Sequence, residues 1–196
     1  MKNNNKKKSL NPEDWELATL DVIAHQGVGA VAVEPLAKAL GVTKGSFYWH
    51  FTNREDLIQS ALKRWRIDDQ LLIKERIFSL DDPQERLKAW FFLSAEPSQS
   101  HLVYATLLAD RQHGFVAKTL KEVTLERLSY LQKAYQETGM NEANAKQQSL
   151  LAYSVYVGYL HMAKTLHGKL KDNENIQNYV QYVASQLLPK HKGTDL

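Results

Sequence analysis

Residues 43–50, Thr-Lys-Gly-Ser-Phe-Tyr-Trp-His, gather the side chains of this chain best suited to a chemical task. A helix opening at Thr43 would turn free amides outward, and Gly45 would let its backbone come close to a phosphate. Lys44 supplies a mobile cation, Ser46 can donate or accept at a base edge, and Tyr48, Trp49 and His50 carry polar tips on bulky rings. This is equipment for gripping a nucleic acid rather than for breaking a bond. The same residues are also compatible with a three-helix packing unit whose polar aromatics are incidental. Bond-breaking chemistry finds less support, because His101, His113, His161 and His167 stand at no ligand spacing. There is no HExxH, no glycine-rich phosphate loop after a strand and no nucleophile motif, so the expectation is no enzyme, no cofactor and no metal site. With no cysteine in the chain, disulfides, thiolate metal sites and thiol nucleophiles drop out, which fits a reducing cytoplasm.

The elements that must position residues 43–50 follow from local signals. Asn11-Pro12-Glu13-Asp14 is a helix start: a cap, a proline for the first turn, and carboxylates at the positive end of the dipole. Trp15, Ala18, Leu20, Val22 and Ile23 give that helix an imperfect apolar stripe until Gly27 and Gly29 turn the chain. After Val33-Glu34-Pro35, the set Leu36, Ala37, Leu40 marks a second short helix that Gly41 stops. Thr43 is placed to cap a third helix over Lys44–His50, with Phe47 and Phe51 facing inward. Two short helices joined by a glycine turn make a helix-turn-helix. Asn53 then caps a fourth helix running towards Phe78, its inner face made of Leu57, Ile58, Ala61, Leu62 and Trp65.

The stretch from Gly27 through Val33-Glu34-Pro35-Leu36-Ala37-Lys38-Ala39-Leu40-Gly41-Val42-Thr43-Lys44-Gly45-Ser46-Phe47-Tyr48-Trp49-His50-Phe51 to Asn53-Arg54-Glu55-Asp56-Leu57 resembles the N-terminal domain of the TetR family. The resemblance covers roughly the first 60 residues, and it implies a one-component transcriptional regulator: a DNA-binding head on a helical body that binds ligand and dimerises. It places Thr43, Lys44, Gly45, Tyr48, Trp49 and His50 at positions that meet DNA, Arg54 against a backbone phosphate, and Val33 and Glu34 on the DNA-facing start of the second helix. One departure stands at Ala32-Val33-Glu34-Pro35, where the family often has a hydroxyl residue. Pro35 fits a helix start but removes a backbone donor.

Beyond Asp81-Asp82-Pro83 the periodicity is helical throughout, with breaks at Glu96-Pro97-Ser98, His113-Gly114, Thr138-Gly139 and Leu166-His167-Gly168. The fold class expected is all-α, about nine helices. A basic arm spans residues 1–10, the head 11–57, a linking helix continues to about 79, the body spans 80–188, and residues 189–196 form a frayed tail. Arm and tail are both expected to be disordered.

Operators read by helix-turn-helix proteins comprise two half-sites, so the body is expected to form a homodimer. From Leu150 to Ala163 apolar residues run almost all the way round, and a last helix carries a second apolar face. Val155, Gly158, Met162, Tyr179, Val180, Val183 and Leu187 are the candidate contacts, joining in a four-helix bundle across a two-fold axis. By the resemblance, an inducer cavity lies within the body. Trp90, Phe91, Phe92, Tyr104, His113, Tyr153, Tyr156 and His161 are candidate walls for a small aromatic or hydrophobic effector.

The partners expected are therefore double-stranded DNA with a palindromic operator, a second copy of the chain, and such an effector. Repression relieved by an inducer is the leading expectation. A DNA-binding protein of the same fold without an effector is the alternative. The net charge of +3 is too weak to argue nucleic-acid binding alone. No apolar stretch reaches the roughly 20 residues that cross a bilayer, and the first ten residues lack a signal-peptide core, so neither membrane association nor export is expected.

Overall fold

Asn11 sets the first helix. Its side chain accepts the Asp14 amide at 3.0 Å, while the Asp14 carboxylate accepts the Asn11 amide at 2.9 Å, a reciprocal cap. The helix it starts, α1 (Pro12–Gln26), ends at Gly27, whose φ of 93° lies in the region that only glycine enters freely. A 3₁₀ turn leads to α2 (Val33–Ala39). Gly41, at φ 70°, then lets its own amide reach the Lys38 carbonyl and the Val42 amide reach that of Ala37. This paired closure ends α2 sharply and delivers the chain into α3 (Lys44–Phe47).

The computed structural model describes residues 10–110, 113–166 and 173–189. The arm at residues 1–9, the tail beyond 189 and the break expected at His167-Gly168 lie outside the described residues. The remaining helices are α4 (Arg54–Ile73), α5 (Pro83–Ala95), α6 (Gln99–Ala109), α7 (Gly114–Glu137), α8 (Glu142–Thr165) and α9 (Asn173–Leu187). Among the described residues there are nine α-helices and no strand, the all-helical class expected.

Packing organises these helices around two neighbouring regions of one core. In the head, Trp15 meets Phe47 edge-on at 5.5 Å, and Phe47 stacks on Phe51 at 5.7 Å. The Trp15–Phe47 contact holds α3 against α1, and Ile23, Val28, Leu57 and Ile58 are buried in the same core. In the body α7 lies along α8, and α5 packs on both α7 and α9.

Helix α4 serves both regions. Its first half carries Leu57, Ile58 and Ala61 into the head, while Trp65 stacks on Tyr104 of α6 at 6.1 Å. A π-helical turn, Lys74–Phe78, extends it further. Helix α1 also packs directly on α6, and the buried Thr106 hydroxyl donates to the Ala24 carbonyl at 3.2 Å. Head and body therefore share side-chain contacts along two helices.

Candidate nucleic-acid interface and body cavity

Local backbone geometry presents residues 43–50 at the surface of the head. Helix α3 is shorter than the periodicity predicts, ending at Phe47, and Tyr48, Trp49 and His50 lie in the turn that follows. The chain keeps curling there because the His50 and Phe51 amides both donate to the Phe47 carbonyl at 3.0 Å. Phe47 and Phe51 are buried as expected, and the turn between them throws Tyr48 and Trp49 outward, 59% and 86% exposed. An indole with that much surface in water contributes little to folding, and its two-faced chemistry suits a partner.

A second group meets around an open groove of about 370 Å³, lined by Val33, Glu34, Lys44, Tyr48, Asn53 and Arg54 among others. Thr43 and Gly45 are exposed beside it, and Ser46 is half-buried. Lys44 is not a free cation: its ammonium donates to Glu34 Oε1 at 2.7 Å. That hydrogen bond and charge lower the Glu34 carboxyl below its ordinary value and raise the Lys44 amine above its own. Both groups sit in water, so a phosphate can displace the carboxylate at little cost. We expect Glu34→Gln to tighten binding to non-specific duplex DNA and to steepen its log-log salt dependence by about 0.9, one additional phosphate contact. Fluorescence anisotropy across a salt series reads both.

One expectation for this surface is corrected, the Thr43 cap, and two side chains, Arg54 and His50, are engaged within the chain. Thr43 occupies the cap position of α3, but its side chain makes no capping hydrogen bond. Arg54 is engaged within the chain. Its guanidinium turns inward, donating to the Val31 carbonyl at 2.6 Å and the Val28 carbonyl at 2.5 Å. It thus satisfies two carbonyls that the turn between α1 and α2 leaves open, and ties α4 to that turn. His50 likewise turns back, its Nε2 donating to the Leu10 carbonyl at 3.0 Å. Arg54→Ala is expected to destabilise the chain by about 1.5–3 kcal/mol in urea unfolding, the range for hydrogen bonds from a charged donor. A residue serving only as a phosphate clamp would leave unfolding unchanged.

The body holds a polar cluster that sequence reasoning missed. Arg127 of α7 is buried, pairs with Asp69 of α4 at 2.8 Å and donates to the Tyr156 hydroxyl at 3.0 Å. Its guanidinium also lies 4.5 Å above the Tyr104 ring and 5.3 Å from that of Tyr156. Burial works against its charge, yet Tyr156 and Asp69 more than offset this and hold the guanidinium above its ordinary pKa. Asp69 accepts in turn from Ser100 at 2.9 Å, and Ser100 accepts from the Trp65 indole at 2.8 Å. Tyr104 and Tyr153 share a short hydroxyl contact, with Thr124 at 3.2 Å from Tyr153.

A signal for this cluster was present. Along α7 the buried positions are Val116, Leu120, Val123, Leu131, Ala134 and Tyr135, and Arg127 falls on the same stripe. Asp69 falls likewise among Ile58, Leu62, Trp65 and Ile73 of α4. A charged residue on an apolar stripe implies a buried partner.

Beside this cluster lies a small inner cavity of about 60 Å³, bordered by Asp69, Trp90, His101, Arg127 and Tyr156. A larger one, about 250 Å³, opens between α6 and α8, and shares Glu96, Ser98 and His101 with the first. Of the walls expected, Trp90 and Tyr156 border the inner cavity. Tyr104 and Tyr153 are absorbed in the hydroxyl cluster, and Phe91 is buried beside Trp90, 5.5 Å away. His113 stacks on Phe115 at 5.5 Å, His161 is exposed on α8, and neither borders either cavity. His101 is the histidine that does: burial, outweighing its hydrogen bond from Nδ1 to the Glu96 carbonyl, holds the ring below the ordinary imidazole value.

On the outer side of the body, Val180 and Leu187 are buried within the chain's own core, where α9 meets α5, so they complete the protomer rather than face a twin. Helical spacing cannot separate an inward face from an outward one when both are apolar. Met162 and Tyr179 are exposed, and Val155, Gly158 and Val183 are half-buried. Leu150 and Leu151 of α8 and Tyr182 of α9 add exposed apolar surface.

Comparison with known proteins bears on both regions. Residues 17–61, covering most of α1 through the first half of α4, match the sequence profile of bacterial regulatory proteins of the tetR family. The transcriptional repressor KstR2 of Mycobacterium tuberculosis is 30% identical over 104 residues, 52% of this chain and 50% of that protein. The transcriptional regulator AcrR of Shigella flexneri is 45% identical over 50 residues, 26% of this chain and 22% of that protein. The chain thus spans half or less of the length of these curated relatives. Among solved structures, a transcriptional regulator from Rhodococcus superposes with a TM-score of 0.76 at 19% identity, covering 91% of this chain and 96% of that one. The regulator FadR of Bacillus subtilis, in complex with stearoyl-CoA, superposes with a TM-score of 0.68 at 19% identity, over 91% of this chain and 98% of that one. The relatives named are transcriptional regulators.

Proposed function

We propose, from the match of residues 17–61 to the tetR family of bacterial regulatory proteins, that this chain is a member of that family and a dimeric transcriptional repressor acting in the cytoplasm. The head grips an operator of two half-sites, and a small molecule in the body releases it. The observation that carries the DNA-binding part is the exposed pair Tyr48 and Trp49 beside the Lys44 groove, inside the matched segment. Thr43, Gly45 and Ser46 flank them on the same surface. Val33 borders the groove and is the lesser contributor, since an aliphatic side chain offers a phosphate nothing.

Two half-sites need two heads at a defined spacing. The outer faces of α8 and α9 supply the surface to join them: Leu150, Leu151, Met162, Tyr179 and Tyr182 are exposed apolar or aromatic residues on these two helices. Paired across a two-fold axis they make a four-helix bundle, with Gly158 permitting close approach because no atom stands within 4 Å of where its Cβ would be.

Release follows from population shift: a ligand preferring a body conformation in which the heads are splayed pulls the protein off DNA. The cavities beside α4 and α6 support an effector site, because both helices also pack into or against the head. That a fold neighbour holds stearoyl-CoA lends further support to a ligand in the body.

The test is titration of the DNA upstream of the chain's own gene against the purified protein, with sedimentation to fix stoichiometry. Salt-sensitive binding of two chains to one palindromic segment is expected. Binding equal to that of random duplex would overturn the operator, and one chain per site would overturn the dimer.

A further inference from the structure

We infer that the cavity between α6 and α8 takes a compact amphipathic carboxylate, its apolar part among Leu102, Ala105, Leu160, Ala163 and Ile176 and its anionic end on Lys164. This rests on the reading of the body as an effector-binding unit and names the ligand class.

Volume sets the size. About 250 Å³ falls below the roughly 300–1,000 Å³ that accommodates drug-sized ligands, so the occupant is smaller than these. The lining sets the polarity. It is mainly aliphatic and aromatic, with Glu96, Ser98, His101 and Lys164 as the polar exceptions that could orient a ligand. Glu96 is already satisfied: Arg76 holds its carboxylate with two hydrogen bonds of 2.6 and 2.8 Å. Burial disfavours a charge on His101, and its Nδ1 proton is committed to the Glu96 carbonyl.

Lys164 differs from both. Its ammonium donates to the uncharged Thr106 hydroxyl at 3.0 Å, and among the described residues no carboxylate lies within ion-pair distance. Partial burial lowers its pKa from the ordinary lysine value. Lys164 is exposed and lines the cavity wall without a counter-ion among the described residues, so its ammonium is free to pair with an anion entering the cavity, and a carboxylate on an apolar body supplies one.

Position adds a consequence. Thr106 accepts from Lys164 and donates to the Ala24 carbonyl in the last turns of α1. Lys164, Thr106 and Ala24 therefore form a line of hydrogen bonds from the cavity wall to the head. An anion that draws the ammonium towards the cavity removes one partner of Thr106 and loosens its hold on α1.

The experiment uses the full chain without DNA. Calorimetric titration with benzoate and octanoate, each compared with its neutral amide, is expected to favour the carboxylate by about tenfold or more, the range of a charge-assisted hydrogen bond. Lys164→Met should erase that preference and Lys164→Arg should retain it, with circular dichroism melts checking the fold. Equal binding of acid and amide, binding of neither acid, or a Lys164→Met protein that still prefers acids would overturn the proposal. Should Lys164→Met fail to fold, the preference of the unmodified chain decides alone. Hydrogen exchange of the α1 amides near Ala24 should quicken with the bound acid, and do so no longer in Thr106→Val; unchanged exchange would overturn the relay. No arm requires DNA, so loss of operator binding would sink the regulator reading and leave this one standing.

Discussion

Replacing Asp69 with alanine is expected to lower the unfolding free energy by about 3–5 kcal/mol, the range for removing one partner of a buried ion pair. Arg127 would be left buried, 4% exposed, without its carboxylate. A guanidinium cannot escape by losing its proton, so the whole penalty falls on the folded state. The Tyr104 and Tyr156 rings soften it only in part, because cation–π attraction is worth up to about 2 kcal/mol when desolvated. Urea unfolding followed by circular dichroism measures the loss. The double replacement Asp69→Leu with Arg127→Met should cost much less than the sum of the single changes, since it removes both charges and leaves apolar groups in their place. A single change costing under about 1 kcal/mol would mean that water reaches Arg127 and that the pair is not a fixed part of the core.

The second large effect concerns DNA. Tyr48→Ala and Trp49→Ala should each weaken operator binding by about 1–3 kcal/mol, roughly tenfold to more than a hundredfold, while barely changing binding to random duplex. Stability should hardly move for Trp49→Ala and should fall by less than the affinity does for Tyr48→Ala. Trp49 is 86% exposed and can lose its ring at little cost, whereas Tyr48 gives up an edge contact to Phe47 at 5.0 Å, worth about 0.5–1.5 kcal/mol. Anisotropy titrations with operator and random duplex, beside thermal melts, separate the two readouts. Loss of stability equal to the loss of affinity would mark these rings as packing residues instead.

Short-range chemistry was legible in the residues themselves. The Asn11–Asp14 cap, the end of α1 at Gly27 and the end of α2 at Gly41 each depend on a few neighbouring residues, and each forms where those residues predict. The helical class and the inward Phe47 and Phe51 follow from the same local periodicity, whereas the turn after α3 sets Tyr48 and Trp49 outward. The end of α3 came out shorter than expected because a run of rings at helical spacing does not reveal where a four-residue helix relaxes into a turn.

Direction was decided elsewhere. Nothing near Arg54 in the chain announces that its guanidinium will serve carbonyls 23 and 26 residues earlier. Lys44 finds Glu34 ten residues away only because the turn at Gly41 folds α3 back beside the start of α2. Val180 and Leu187 share an apolar face with residues open to solvent, and packing against α5, α7 and α8 decides which are covered.

The sequence by itself determined which segments are helices, where glycine and proline break them, and which head residues are chemically equipped for DNA, because caps, turns and periodicity act over a few residues. Only the tertiary structure decided which charges are buried, paired or left facing a cavity. Asp69 and Arg127 are 58 residues apart, as are Thr106 and Lys164. The energy of a charge depends on the groups that packing brings around it rather than on its neighbours along the chain.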